Sequence, residues 1–184
     1  VFGWSWNHLG EPEQLAFRQL AVFRAGFTRQ AAQAVAGASA LMLNRLVQKS
    51  LLRVSASNNG ESRFELHELL RQFAEDGLAA LPEQARQARR RHGAFCAALA
   101  EQAEPQLVGA DQVAWLDRLE LEHDNMRAAL GWAACEDRLI GLRLRQQGQA
   151  GGIQPRRQAA VGGQEGQFGA LRLPLRGQPV TPFF

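Results

Sequence analysis

The apolar positions of this chain change period more than once. Over residues 11–23, Ala16, Phe17, Leu20 and Phe23 share one helical face. Pro12 stands near the start, where a helix loses nothing by its missing N–H. After Gly26, Thr28 can cap a short helix carrying Ala31, Ala32 and Val35, and Gly37 can end it. Ser39 caps a third helix, with Leu43, Leu46 and Val47 facing inward. The period then drops to two. Leu52, Val54 and Ala56 alternate with Arg53 and Ser55, and Phe64 and Leu66 alternate with Arg63 and Glu65. Asn58-Asn59-Gly60 lies between these runs, and Asn and Gly tolerate the positive φ that a tight hairpin needs.

Three helices followed by a β-hairpin predict a winged-helix arrangement, with the hairpin as the wing. Helical spacing returns from His67 to Leu81, with Leu69, Leu70, Phe73, Ala74 and Leu78 as the apolar stripe, until Pro82 breaks the chain. From Glu83 to Glu104 the positions Ala85, Ala88, His92, Phe95, Leu99 and Ala103 step by three and four, which describes one long amphipathic helix. Two stretches follow, at 111–121 with Val113, Leu116 and Leu119, and at 124–135 with Met126, Leu130 and Ala133. Asp124 can cap the second; one continuous helix through Glu122 is the alternative. Helical hairpins of this kind are typical of tetratricopeptide-like arrays. The fold class is therefore mainly α: a winged-helix domain at 1–82, the start of a helical array at 83–144, and a tail at 145–184.

The tail differs in kind. It holds eight Gly, eight Gln, five Arg and four Pro without usable periodicity, so it is expected to be disordered. It reads as a flexible linker or as the product of a shifted reading frame. The formal charge of +3 is also a property of the tail, which carries +4, so the other 144 residues sum to −1. A near-neutral domain offers no electrostatic case for nucleic acid. The chain begins with Val1, as a fragment or a gene product with a missing start would. There is no run of 18 apolar residues and no signal-peptide pattern. Two isolated cysteines, Cys96 and Cys135, make neither a disulfide framework nor a metal site. A cytoplasmic setting without membrane contact fits best.

Five stretches, in order, carry a resemblance: SWNHLGEPEQLAFRQLAVFRAGFTRQAAQAVAG, LNRLVQKSLLRV, RFELHELLRQFAEDGL, RRRHGAFCAALAEQAEP and WLDRLELEHDNMRAALGWA. Together, over about residues 3–144, they resemble the region just after the nucleotide-binding core of bacterial STAND-type predicted ATPases. These are regulators related to the NB-ARC class, often with LuxR-type or SARP-type output modules and tetratricopeptide repeats. The resemblance implies a regulatory segment that couples the nucleotide state of an ATPase core outside this chain to partner binding by helical repeats. It implies ADP or ATP in the parent protein and none bound by this segment alone. Its partners would be the upstream nucleotide-hydrolysing domain, proteins at the repeats, and DNA through an output domain outside this chain. In NB-ARC relatives a Met-His-Asp-like motif gives a histidine to bound ADP. The matching tripeptide here is Leu66-His67-Glu68. A helix N-terminus suits phosphate, and an imidazole there can donate to a phosphate oxygen. The competing reading of His67 is a helix cap or a packing residue at a domain edge.

No phosphate loop is present: around Lys49, the chain's only lysine, Leu43 and Gln48 stand where G-x-x-x-x-G-K-[ST] needs glycines. The segment is therefore not expected to be an enzyme. The alternative function is a DNA-binding winged-helix transcription factor, in which the third helix would offer Asn44, Arg45, Gln48 and Lys49. Arg86, Arg89 and Arg90 share a helical face and read as solvated charge, or as phosphate contacts. His8, His92 and His123 share no ligand spacing and read as ordinary surface or packing histidines. Glu120, Glu122 and Asp124 read as solvated charge with a cap. Trp115 and Trp132 read as packing anchors. Trp4 and Trp6, ahead of the first helix, are expected to lie exposed in an isolated segment.

Overall fold

The computed structural model describes residues 6–56, 62–136 and 142–143. The expectations for the turn at 58–60, for Trp4 and for the tail at 145–184 lie outside the described residues.

Helix α1 (Glu11–Leu20) starts where the Glu13 carboxylate accepts the Gly10 N–H at 3.1 Å. Helix α2 (Arg29–Ala36) starts where Thr28 Oγ1 accepts the Ala31 N–H at 3.1 Å. Both satisfy donors that a helix N-terminus leaves open. Gly37 closes α2 in the left-handed region, φ +64°, which a Cβ would disfavour. Ser39 caps α3 (Ala40–Gln48) through Met42 N–H at 3.2 Å. The hairpin is β2 (Arg53–Ala56) and β3 (Ser62–Glu65), antiparallel with Val54 opposite Phe64. A further strand, β1 (Phe27–Thr28), pairs with the other edge of β3, Phe27 opposite Phe64, giving the order β1-β3-β2. Two residues are too few to show a period, so no pattern along the chain marks β1.

The hairpin also departs from simple alternation. Val54 is 52% exposed, while the neighbours Arg63 and Phe64 are both buried. Phe64 belongs to the sheet's apolar face. Arg63 is buried on the other face because later helices cover it, as described below.

Helices α4 (Glu68–Ala79) and α5 (Pro82–Ala103) follow, then a 3-10 turn (Glu104–Val108), α6 (Gln112–Leu121) and α7 (His123–Glu136). The chain breaks at Glu122, so the continuous-helix alternative does not hold. The main core joins Phe17, Leu20, Phe27, Val35, Leu43, Leu46, Leu70 and Leu78 and runs on into Ala85 and Ala88 of α5. A second, thinner cluster joins Cys96 and Ala97 of α5 to Ala129 and Ala133 of α7. The change from one core to the other falls within α5. Its long stripe is buried at Ala85, Ala88, His92, Leu99 and Ala103, as the spacing predicts.

Two stripes are narrower than expected. In α4, Leu70, Ala74 and Leu78 are buried, while Leu69 and Phe73 stay 57% and 42% exposed. In α6 only Leu119 is buried, and Val113 is 70% exposed. On α4, Trp6 covers part of the Phe73 side, and Leu69 stays open. Trp6, in contrast, is partly buried: its ring meets Phe73 edge-on at 5.2 Å and Phe17 at 6.0 Å, under the Arg18 guanidinium. No helix is long and apolar enough to cross a membrane among the described residues.

His92 lies inside this packing, edge-on to Phe23 at 4.9 Å and with Nε2 3.7 Å from Cys96 Sγ. Burial, with the charge of Arg24 second, pushes its imidazole down to about 4, and burial pushes the Cys96 thiol up to about 12. An unfolded histidine titrates near 6.5, so between that pH and about 4 the unfolded chain binds the extra proton. Stability is therefore expected to fall as pH drops through this window, by up to about 3 kcal/mol. Urea unfolding at pH 7 and pH 4.5 checks this against His92→Phe, which should lose much of that pH dependence.

Candidate functional site

His67 sits between β3 and α4 as the N-cap residue, in extended backbone. Its Nδ1 accepts the Leu69 N–H at 3.3 Å. A nitrogen that accepts carries no proton, so the neutral ring holds its proton on Nε2. The residue is exposed. The cap thus leaves Nε2–H, on an exposed residue, as a donor at the positive end of a helix. Capping and contact with an external acceptor are compatible in one histidine, because they use different nitrogens.

The surroundings of His67 are anchored by charge. Arg71 donates to both oxygens of Glu68, at 2.5 and 2.9 Å, and to Glu75 at 2.8 Å. Arg24 meets the same Glu75 at 2.9 and 3.2 Å. The hydrogen bond from Arg71 holds the Glu68 carboxyl below the usual carboxylate range. These pairs fix the first turns of α4, whose outward face shows Leu69 and Phe73 on the same helix as the cap.

The third helix presents a different surface. Asn44, Arg45 and Gln48 are exposed, beside an exposed Leu41. Arg45 Nη1 is held by Glu13 Oε1 at 3.2 Å, and Lys49 Nζ donates to the His8 carbonyl at 3.0 Å. Both cations of this helix are thus engaged with the segment around α1. Asn44 and Gln48 are the polar groups left to reach outward. Arg86 pairs with Glu83 at 3.4 Å, and His123 lies 3.5 Å from Asp124; both are surface contacts.

A cleft of about 280 Å³ opens between the segment after α1 and helices α4, α5 and α7, lined by Arg24, Glu75, Arg89, His92 and Trp132 among others. His67 does not line it. Among the described residues, no three His, Cys, Asp or Glu side chains converge as metal ligands would.

One constellation was not foreseen. Glu122, expected in solvent, is buried and pairs with the buried Arg63 at 2.6 Å. Asn125 is fully buried between them and the loop at 24–26. The available signal was periodicity: Asn125 stands four and eight residues before Ala129 and Ala133, on the buried stripe of α7. A polar residue on such a stripe needs partners.

Residues 9–79 match a family described as the winged helix-turn-helix domain. Residues 9–79 are a winged helix-turn-helix domain. The match ends at the last residue of α4, so α5, α6 and α7 lie beyond it. Three relatives, one from Mycobacterium bovis and two from strains of Mycobacterium tuberculosis, are named provisionally as HTH-type transcriptional regulators. Each is 37% identical over 139 residues, covering 70% of this chain. The match spans 15% of the length of these relatives. No solved structure matches the chain. The winged helix-turn-helix thus sits in a chain related to a small part of much longer regulators.

Proposed function

We propose that this chain is a regulatory segment of a long transcriptional regulator, in which the winged helix-turn-helix closes over a nucleotide held by an ATPase domain outside the chain. The observation that carries the proposal is an Nε2–H on the exposed His67 beside Leu69, 57% exposed, and the edge of Phe73 that Trp6 leaves open. An apolar face beside a phosphate donor suits a protein surface that holds a phosphate. It suits the sugar-phosphate surface of a duplex poorly, because burying apolar groups there gains little. In this reading ADP or ATP belongs to the parent protein, and the helices at 83–144 carry the change onward to protein partners. The division into 1–82 and 83–144, the kinship with STAND and LuxR-type regulators and a cytoplasmic setting belong to the same proposal.

The test joins the chain to its ATPase domain and compares His67→Ala with the parent. Loss of one hydrogen bond to phosphate is expected to weaken ADP retention about tenfold and to raise basal output. Unchanged ADP affinity removes the nucleotide role from His67.

The second reading is direct DNA contact by α3, through Asn44, Arg45, Gln48 and Lys49. The family match and the names of the relatives support it more directly than they support the first. Against it stand the engagement of Arg45 and Lys49 within the fold and the exposed Leu41 on the same face. A gel shift with duplex DNA across a salt series separates the two. Strong salt-dependent binding that Asn44→Ala and Gln48→Ala abolish favours the DNA reading.

A further inference from the structure

The buried group formed by Arg63, Glu122 and Asn125 joins two parts of the chain that are far apart in sequence. Arg63 comes from β3, the strand shared by the wing and β1. Its Nη1 donates to Glu122 Oε1 at 2.6 Å, and its Nη2 donates to the Gly26 carbonyl at 2.5 Å. Asn125 Nδ2 donates to that same carbonyl at 3.1 Å and to Glu122 Oε2 at 2.6 Å. Asn125 Oδ1 accepts the N–H of Arg24 at 2.9 Å and of Ala25 at 3.3 Å. Both carboxylate oxygens of Glu122 and both polar atoms of the Asn125 amide are therefore occupied. Three backbone groups of the loop between α1 and β1 find their partners in the first turn of α7.

The loop itself lies close against β3 at Gly26. A Cβ there would lie 3.0 Å from Glu65 Cγ, 3.2 Å from the Phe64 carbonyl oxygen and 3.4 Å from Arg63 Nε. The apolar contact that seats α7 on α5 is built on small buried residues, Cys96, Ala97, Ala129 and Ala133, with Met126, Leu130 and Trp132 partly buried against them. A buried ion pair adds little net stability, but it fixes geometry, because a half-made pair leaves a buried charge without a partner. Such a contact is either made or broken.

We infer that this clasp is the coupling element of the chain: it ties strand β3 and the loop at 24–26 to helix α7, so that a displacement of the wing carries the α6–α7 hairpin with it. The clasp deepens the reading above and rests on it only for the direction of the signal. Two of its three side chains lie beyond the winged helix-turn-helix.

Hydrogen exchange on the full chain tests the clasp without any nucleotide. In Asn125→Ala, amides of α6 and α7 are expected to exchange at least about tenfold faster, while those of α1 and α3 keep their rates. Asn125→Ser, which keeps a hydroxyl beside the 24–26 loop, is the milder variant should Asn125→Ala not fold, and should speed α6–α7 by a smaller factor. Equal loss of protection in α1, α3, α6 and α7 would make the group ordinary core and overturn the inference. Unchanged exchange in α6–α7 would overturn it as well. The ADP experiment with His67→Ala fails or succeeds separately from this one.

Discussion

Replacing Phe27 by Ala should cost about 3–5 kcal/mol of folding stability, a large share of what a domain of this size holds. Phe27 has no exposed surface. Its ring stacks on Phe23 at 4.7 Å and on Phe64 at 6.2 Å, so it joins the end of α1 to the sheet. It is also one of the two residues of β1, opposite Phe64 on β3. Truncation leaves a cavity among aromatic rings that cannot collapse without pulling the sheet off the helices. Urea unfolding followed by circular dichroism gives the value. A loss under about 1 kcal/mol would mean that this stack does not hold the sheet in place, since truncating a packed Phe to Ala costs about 3–5 kcal/mol.

The same residue marks where sequence reading stops. The three-helix core was legible because Phe17, Leu20, Val35, Leu43 and Leu46 repeat at helical spacing and are all buried. The caps at Thr28 and Ser39 and the left-handed Gly37 were legible because each solves a local problem of helix ends. β1 was not, since a two-residue strand is defined by its partner across 36 intervening positions and not by its own pattern. Nor was the exposure of Leu69, Phe73 and Val113. Periodicity marks the apolar side of a helix, but what covers that side is a tertiary fact. For His67 the sequence placed the residue at a strand-to-helix junction. Only coordinates assign Nδ1 to the cap and free Nε2. The clasp was misread for the opposite reason. Glu122 stands in an acidic run that looks like solvated surface, and Arg63 stands at an outward-facing position of an alternating strand. Each is polar by type and buried by its partner, and pairing over 59 positions leaves no local trace.

That pairing makes the sharpest quantitative expectation. Glu122→Leu leaves the Arg63 guanidinium, 9% exposed, without its carboxylate, and Arg63→Met leaves a Glu122 side chain, 6% exposed, without its cation. Each single change should cost about 3–5 kcal/mol, because an unpaired buried charge must be desolvated for nothing. The double variant should recover most of the loss and end within about 1–2 kcal/mol of the parent, since two apolar side chains can fill the same space. A double-mutant cycle from urea titrations measures the difference directly. Costs that simply add would show that the two charges do not meet in solution. Recovery has a further consequence. A chain that regains its stability with Met and Leu in these places no longer has a contact that must be wholly made or wholly broken. Its α6–α7 exchange should then stay faster than the parent's at matched stability, which separates what the ion pair contributes to folding from what it contributes to coupling.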